Sequence, residues 1–323
     1  MIITDYLYST PSVQWEYAKQ CGVDYAVIRL PETPDFDFSD YSHWANLCNR
    51  FEKYGLHPLV VEPLPNAIHD HIKAGDEQRD ACIEKVIRMF PHMAKLGIHT
   101  LCFNFMAYVG WTRTRCDTPE RGGALVTSFD TREYCSPNES IITQEELWNH
   151  YTYFIKAIVP AAEKWGIRMA LHPDDPPLVK LGNVERILIS GENILRALQI
   201  ANSQNVGLTM CQATFAMMGV DLEQFIPSVA DKIFFIHFRN VRGNKTCFQE
   251  TFHDNGQLDM AALMRLYQKC NIDVPIRIDH VPTMAEETNA NPGYNTLGRL
   301  FALGYLKGLL EQTGSSVKTK GSA

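Results

Sequence analysis

The sequence has few of the features that mark secreted or membrane proteins. Its nine cysteines are odd in number and include no C-x-x-C pair, which argues against a disulfide framework and predicts a reducing, cytoplasmic location. The N-terminal stretch lacks a basic segment followed by an apolar one, so we expect no signal peptide. No apolar run approaches the roughly 18 residues that span a membrane.

The sequence also lacks the charge pattern of a nucleic-acid-binding protein. Its 323 residues include 37 acidic and 30 basic side chains, which give a net charge of -7. Basic side chains do not cluster, so nucleic acid is not an expected partner. The stretch 313–323 is polar and made of small residues, and we expect it to form a flexible tail.

What the sequence does contain is a regular alternation of short β-rich runs with amphipathic segments. Eight such runs occur, among them "DYAVIRL", "IRMALH" and "KIFFIHFRN", and apolar residues recur between them at intervals of three and four. This alternation predicts a parallel sheet that is covered by helices. Eight units favour a single closed (β/α)8 barrel over residues 1–312, and no linker divides the chain.

The competing architecture is a doubly wound open sheet. It would need a glycine-rich phosphate-binding turn after the first strand, and "YLYSTPSVQW" is not such a turn. Three predicted helices end in Lys, any residue and Gly directly before a strand, which predicts a left-handed conformation for Gly55, Gly97 and Gly166. The last of these three units contains a long insertion near 107–143, and loops of that length are usually functional.

Metal-binding side chains follow the last four predicted strands at matching depth. They are His172, Cys211, His237 and Asp279. The carboxyl ends of the strands in a parallel barrel converge on one face, where active sites form. Imidazole, thiolate and carboxylate are all ligands of first-row metal ions, so the sequence predicts a metal site there. The prolines that follow His172 are expected to hold this ligand rigid.

Each of these residues also has a simpler interpretation. A single histidine at a strand end is more often a hydrogen-bonded structural residue, and a buried cysteine usually behaves as a small hydrophobic side chain. Asp279 would equally suit the cap of a turn. Four candidate ligands on four consecutive strands are a less probable coincidence, and this favours the metal site.

The motifs around these residues resemble the D-mannonate dehydratases, which are metal-dependent barrel enzymes related in fold to xylose isomerase. "LHPDDPP" and "HFRN" are the more specific motifs, and "NFMAYVGWTRT", "GQLDM" and "DHVP" support them. The resemblance implies dehydration of D-mannonate to 2-keto-3-deoxy-D-gluconate with Mn2+ or Fe2+. It implies the same four metal ligands, and a thiolate ligand is also compatible with Zn2+.

The resemblance also implies roles beyond the metal site. His280 and Tyr294 match the proposed acid–base pair, although the sequence does not say which is the acid. Trp111 and Arg113 match a loop that closes over the substrate.

Three more residues are candidates for contact with a sugar-acid substrate. A guanidinium binds a carboxylate through two hydrogen bonds, so we expect Arg239, like Arg113, to pair with the substrate carboxylate. Asn240 belongs to the "HFRN" motif, and His253 follows the seventh strand. The alternatives are an ion pair between Arg239 and an aspartate of "LHPDDPP", and a position for His253 on a solvent-facing loop.

Two alternative functions stay open at this point. One is a sugar isomerase or epimerase on the same barrel, which would use paired glutamates; Glu62 ends the third strand, but the later strands offer no second glutamate at the same depth. The other is a barrel that binds a sugar acid without turnover. The oligomeric state is not fixed by the sequence, although dimers are common among such barrels.

Overall fold

A closed barrel of eight parallel strands forms the centre of the protein. The computed structural model describes residues 1–313, so the predicted tail lies outside the described residues except for Thr313. The barrel strands are β1 (Ile2–Tyr8), β2 (Tyr25–Arg29), β3 (His57–Val61), β4 (Thr100–Phe103), β5 (Arg168–Leu171), β6 (Val206–Cys211), β7 (Ile233–Phe238) and β8 (Pro275–Ile278). Their order around the barrel is β1-β8-β7-β6-β5-β4-β3-β2. This confirms the predicted (β/α)8 fold.

Helices surround the strands. The described residues contain α1 (Val13–Gln20), α2 (Tyr41–Lys53), α3 (Asn66–Ala74), α4 (Arg79–Lys95), α5 (Gln144–Trp165), α6 (Gly191–Ala201), α7 (Gln212–Met217), α8 (Leu222–Ser228), α9 (Met260–Lys269) and α10 (Thr296–Gln312). The sequence predicts all of these except the short helices α3 and α7. Gly55, Gly97 and Gly166 have φ values of 70°, 76° and 64°, which confirms their predicted left-handed conformation.

Two layers of buried side chains hold the barrel together. The larger layer lies between strands and helices, where Trp15 stacks on Phe51 with ring centroids 3.9 Å apart. The smaller cluster fills the barrel interior with side chains from six strands: Tyr6, Val27, Val60, Cys102, Ala170, Phe234 and Phe235. It makes a solid floor, so a ligand can enter only at an end of the barrel.

An antiparallel sheet covers part of the carboxyl-terminal end of the barrel. It consists of the strands Arg115–Pro119, Leu125–Asp130, Val241–Asn244 and Cys247–Glu250. The stretch near 107–143 that the sequence predicts as a loop therefore contains a hairpin, which pairs with a second hairpin after β7. Sequence periodicity does not reveal this pairing, because the two hairpins lie more than a hundred residues apart.

Among the helices of residues 1–313, none is both long enough and apolar enough to cross a membrane.

Candidate active site and metal centre

The four predicted metal ligands meet at the carboxyl-terminal ends of the strands. Cys211 ends β6 and His237 lies in β7, while His172 and Asp279 directly follow β5 and β8. The candidate ligand atoms of His172, Cys211 and His237 lie within 4.8 Å of one another. Oδ2 of Asp279 lies 3.6 Å from Nδ1 of His237. The barrel thus brings together residues that are spread over more than a hundred positions of the sequence.

The two imidazoles are oriented as metal ligands would be. Nδ1 of His172 lies 2.6 Å from the carbonyl oxygen of Pro173, which can only accept, so the proton is on Nδ1 and Nε2 is bare. Nε2 of His237 lies 3.0 Å from a carboxylate oxygen of Glu62 without hydrogen-bond geometry, and this nearby negative charge favours the tautomer with the proton on Nε2 and a bare Nδ1. The two bare nitrogens face each other at 3.2 Å. A cation bound by both removes the repulsion between their lone pairs.

Burial supports the neutral form of the first ligand. It lowers the pKa of His172 below the usual value for histidine, with the nearby carboxylates of Glu62 and Asp279 acting in the opposite direction. A neutral imidazole is the form that binds a metal ion.

The thiol and the carboxylate complete the donor set. Sγ of Cys211 lies 3.1 Å from the hydroxyl of Thr214 and 3.5 Å from Nη1 of Arg239, both of which can donate to it. Burial alone would raise the pKa of Asp279, but Arg277 and His280 hold it well below its usual value. Arg277 binds Oδ1 of this carboxylate at 2.9 Å, so Oδ2 is left to face His237. Two imidazoles, a thiol and a carboxylate suit a divalent first-row ion.

A second group of candidate ligands shares His237 but suits a metal less well. It consists of Glu62, Cys102 and His237, whose donor atoms also lie within 4.8 Å of one another. Glu62 is already held by Nε and Nη2 of Arg277, at 2.7 and 2.9 Å. Burial raises the pKa of Cys102 well above the usual value for a thiol, which keeps this sulfur protonated.

A cavity of about 580 Å³ opens beside the proposed metal ligands. Its lining includes Trp111, His172, His237, Asp279, His280 and Tyr294. The ring of His280 lies 5.5 Å from that of Tyr294 and 5.0 Å from that of Trp111, as centroid distances. The cavity is several times larger than a water molecule and has room for a six-carbon acid.

The backbone and the protonation states of this region are unusual. His280 has a φ of 38°, a conformation that costs roughly 1–3 kcal/mol for a residue other than glycine and that clusters at functional sites. Burial, with a further contribution from Asp279, raises the pKa of Tyr294 well above its usual value. The phenol of Tyr294 therefore keeps its proton at neutral pH and can donate it.

The two arginines belong to a buried network of ion pairs. Arg113 binds both oxygens of Asp175, at 2.8 and 3.0 Å, and Oε1 of Glu250 at 2.7 Å. Arg239 binds Asp175 at 2.6 Å and both oxygens of Glu250 at 2.6 and 2.9 Å. Neither arginine is among the described residues that line the cavity. Both guanidinium groups are bound by buried carboxylates, as the ion-pair alternative for Arg239 predicts, while Nε of Arg113 has no hydrogen-bond partner among the described residues; contact of either arginine with a substrate carboxylate stays a prediction.

Asn240 and His253 are held by hydrogen bonds within the protein, and their contact with substrate stays a prediction. The amide of Asn240 donates to the carbonyls of His253 and Leu258, and its oxygen accepts from two backbone N–H groups. A Cβ on Gly256 would lie 2.1 Å from this oxygen, which explains the glycine of "GQLDM". Nε2 of His253 donates to the carbonyl of Phe238 at 2.8 Å. Neither side chain is among the described residues that line the cavity.

The fold and the site together define a barrel enzyme of the xylose isomerase-like type with a candidate metal centre. The family model of D-mannonate dehydratase (UxuA) matches residues 3–143 and 137–320, which is nearly the whole chain. The chain therefore belongs to the D-mannonate dehydratase family, as its motifs predict, and the expected enzyme class, a hydro-lyase, is confirmed.

Similar proteins agree with this assignment. The chain is 34% identical over 301 residues to mannonate dehydratase 2 of Halalkalibacterium halodurans, an alignment that covers 83% of this chain and 86% of the relative. It is 30% identical to mannonate dehydratase 1 of Bacillus licheniformis, over 96% of this chain and 94% of the relative. The crystal structure of mannonate dehydratase from Streptococcus suis serotype 2 superposes with a TM-score of 0.90 at 28% identity, over 100% of this chain and 99% of the other.

More distant structures share only the fold. An L-ribulose 3-epimerase superposes with a TM-score of 0.62 at 16% identity, over 97% of this chain and 96% of the other. This similarity supports the xylose isomerase-like barrel and does not favour the epimerase alternative. Glu62 is the only glutamate among the described residues that line the cavity, and Arg277 holds both of its oxygens.

Proposed function

We propose that the protein dehydrates D-mannonate to 2-keto-3-deoxy-D-gluconate and water, with Mn2+ or Fe2+ bound by His172, Cys211, His237 and Asp279. The observation that carries this proposal is the convergence of these four donors beside a cavity that also contains His280 and Tyr294. Membership of the D-mannonate dehydratase family supports the choice of substrate. Zn2+ suits the same donors and is the ion to exclude.

The reaction removes a proton from C2 of the substrate and hydroxide from C3. The resulting enol takes a proton at C3 and becomes the 2-keto acid, so that one water molecule is lost in total. When bound, the divalent ion supplies electrophilic stabilisation of the negative charge that develops as the C2 proton leaves. The chain itself must supply a base near C2 and an acid near the 3-hydroxyl.

We assign the acid to Tyr294 and the base to His280. The raised pKa of Tyr294 keeps its phenol protonated, and proton donation to the departing hydroxyl releases water. His280 lies on the same side of the cavity and offers an imidazole nitrogen to the C2 proton. Trp111, with its ring 6.4 Å from that of Tyr294, covers this pair and limits the access of solvent.

The arginines take a supporting role in this proposal. Asp175, which lines the cavity, and Glu250, which does not, bind Arg113 and Arg239, and Arg239 also contacts the sulfur of Cys211. We propose that this network holds the ligand loops in place. We further propose a cytoplasmic location, which nine free cysteines support, and a homodimer remains a prediction to be checked by gel filtration.

The test is an assay of the purified protein with Mn2+, Fe2+ or Zn2+ and D-mannonate, with the product identified by 13C NMR. We expect a 2-keto-3-deoxy acid, and little product from the C2 epimer D-gluconate. D-mannose and D-fructose serve as substrates for the isomerase alternative. Interconversion of these two sugars without dehydration of D-mannonate would contradict the proposal, as would binding of D-mannonate without turnover under all three ions.

A further inference from the structure

We propose that Glu250 is a positioning residue for proton transfer, which fixes both the orientation of His280 and the nitrogen that carries its proton. This inference rests on the proposed function, because it gives Glu250 a role in the step assigned to His280. Glu250 is not part of the barrel, since it ends the second strand of the hairpin that follows β7.

The contact that carries the inference is a short one between two buried side chains. Nδ1 of His280 lies 3.1 Å from Oε1 of Glu250, and the two side chains are 3% and 1% exposed. A carboxylate accepts hydrogen bonds and cannot donate them, so the proton of a neutral imidazole is drawn to Nδ1. Nε2 is then the nitrogen without a proton. This effect requires that Glu250 is charged and held in place.

Two arginines keep Glu250 charged and in place. Arg239 binds both of its oxygens and Arg113 binds Oε1, so the carboxylate cannot rotate without breaking several charge-assisted hydrogen bonds. Burial alone would raise the pKa of Glu250, but the permanently charged guanidinium groups of Arg239 and Arg113 lower it well below its usual value. Glu250 is therefore an acceptor throughout the neutral pH range.

The position of His280 explains why it needs such a partner. It follows β8 with a φ of 38°, so its backbone is strained and its ring direction is not set by the regular geometry of the strand. The opposite nitrogen, Nε2, lies 3.6 Å from Oδ1 of Asp279. If the proton were on Nε2, the ring would point a hydrogen toward a proposed metal ligand, and its unprotonated nitrogen would be Nδ1, whose lone pair would face the carboxylate of Glu250. The contact with Glu250 selects against this tautomer.

A second acidic residue of this network allows the orienting effect of Glu250 on His280 to be distinguished from its effect on the charge of the arginines. Asp175 binds the same two arginines and is equally buried, with both side chains 1% exposed, but no hydrogen bond or ion pair joins it to His280 in the described residues. Replacing Asp175 therefore disturbs the arginines and leaves the partner of His280 in place. Asp175→Asn is the control for Glu250→Gln, and because Asp175 also lines the cavity, a change in its contact with substrate is read from KM and kept apart from the effect on kcat.

The kinetic test measures kcat, KM and bound metal for Glu250→Gln, Asp175→Asn, His280→Ala and the double variant Glu250→Gln/His280→Ala. We expect Glu250→Gln to lower kcat roughly 10- to 100-fold, with KM and metal content close to wild type. This decrease in kcat should be larger than the decrease that Asp175→Asn causes. In the His280→Ala background Glu250→Gln should have no further effect on kcat. An equal loss in both backgrounds, or an equal loss from Asp175→Asn, would assign Glu250 a merely structural role.

A second test needs no variant of Glu250 and no turnover. Long-range 1H–15N spectra of 15N-histidine-labelled protein, loaded with diamagnetic Zn2+, distinguish a protonated ring nitrogen from a bare one. Absence of the signal in His280→Gln identifies His280. A proton on Nδ1 with a bare Nε2 supports the inference, whereas a proton on Nε2, or on both nitrogens, overturns it. This result stands even if D-mannonate proves not to be the substrate, so failure of the inference and failure of the proposed function are distinguishable.

Discussion

Nε2 of His172 and Nδ1 of His237 face each other at 3.2 Å, and the other nitrogen of each ring contacts an acceptor of the protein. Neither ring can supply a hydrogen bond to the other in this arrangement, because both facing nitrogens are acceptors. This arrangement suits a shared cation and agrees with the proposed metal site. The barrel achieves this with residues from two strands that are separated by β6, which contributes Cys211 from between them.

The first prediction distinguishes the two groups of donors that include His237. We expect Cys211→Ala to weaken metal binding by about 100-fold or more. Loss of a residue that only supports a ligand typically costs about 10- to 100-fold in metal affinity, and this substitution removes a proposed ligand itself. Cys102→Ala is the matched control, since Cys102 is equally buried and belongs to the other group. Metal content after dialysis and titration calorimetry measure the effect. Loss of metal from Cys102→Ala with retention in Cys211→Ala would contradict the proposed site and favour the group of Glu62, Cys102 and His237.

The second prediction concerns the proposed acid. Tyr294→Phe removes only the hydroxyl, so we expect kcat to fall by about 10²- to 10⁴-fold while bound metal stays at the wild-type level. Tyr8→Phe provides the comparison, because Tyr8 also lines the cavity but is half exposed at its rim. Steady-state kinetics with D-mannonate test both variants. Similar kcat values for the two variants would remove Tyr294 from the acid–base pair.

The candidate metal ligands are predictable from the sequence because the fold itself sets their spacing. Once eight β/α units indicate a barrel, the residue at the end of each strand has a known place, and His172, Cys211, His237 and Asp279 follow without any local motif. The same reasoning applies to Glu62, which directly follows β3 and lies 3.0 Å from His237. The sequence does not show that Glu62 is a partner of His237, because a carboxylate at a strand end has the same signature whether it contacts a metal ligand or takes part in proton transfer.

The supporting network could not be predicted in the same way. An arginine beside a site has the same sequence signature whether it binds a substrate carboxylate or a buried acid such as Glu250. Its true partners come from the loop after β5 and from the hairpin after β7, and periodicity does not show how these segments pair. One usable signal was Arg277, since a charged residue within a buried strand requires a buried acid nearby. It finds two, Glu62 and Asp279.

The third prediction tests the stability that the arginine network confers. Arg239→Met leaves Asp175 and Glu250 buried with only one arginine, and breaking a buried pair from one side typically costs about 3–5 kcal/mol of the free energy of unfolding. Arg115→Met removes an exposed ion pair with Glu133 and should change stability little. Urea unfolding of the metal-free proteins measures both. Equal effects would contradict the assignment of Arg239 to a buried network.

The fourth prediction uses His253, where the structural and the substrate-binding interpretations differ. Burial lowers the pKa of His253 from its ordinary value of 6.5 to about 4 in the folded protein. Because the unfolded chain takes up this proton first, the free energy of unfolding should decrease as pH falls from about 6.5 to about 4, by at most about 3 kcal/mol from this residue. Above pH 7 the residue is neutral in both states and contributes no pH dependence.

His253→Gln removes the titrating group and keeps an amide that can donate to the carbonyl of Phe238. We expect the unfolding free energy of this variant to depend less steeply on pH between about 6.5 and 4 than that of the wild type. The difference in slope corresponds to the uptake of up to one fewer proton on unfolding. Since His253 stays outside the cavity lining, KM for D-mannonate at neutral pH should be unchanged. Urea unfolding across this pH range and kinetics at pH 7.5 provide the two measurements. A parallel pH dependence with a raised KM would restore His253 to contact with the substrate and displace the structural role assigned to it.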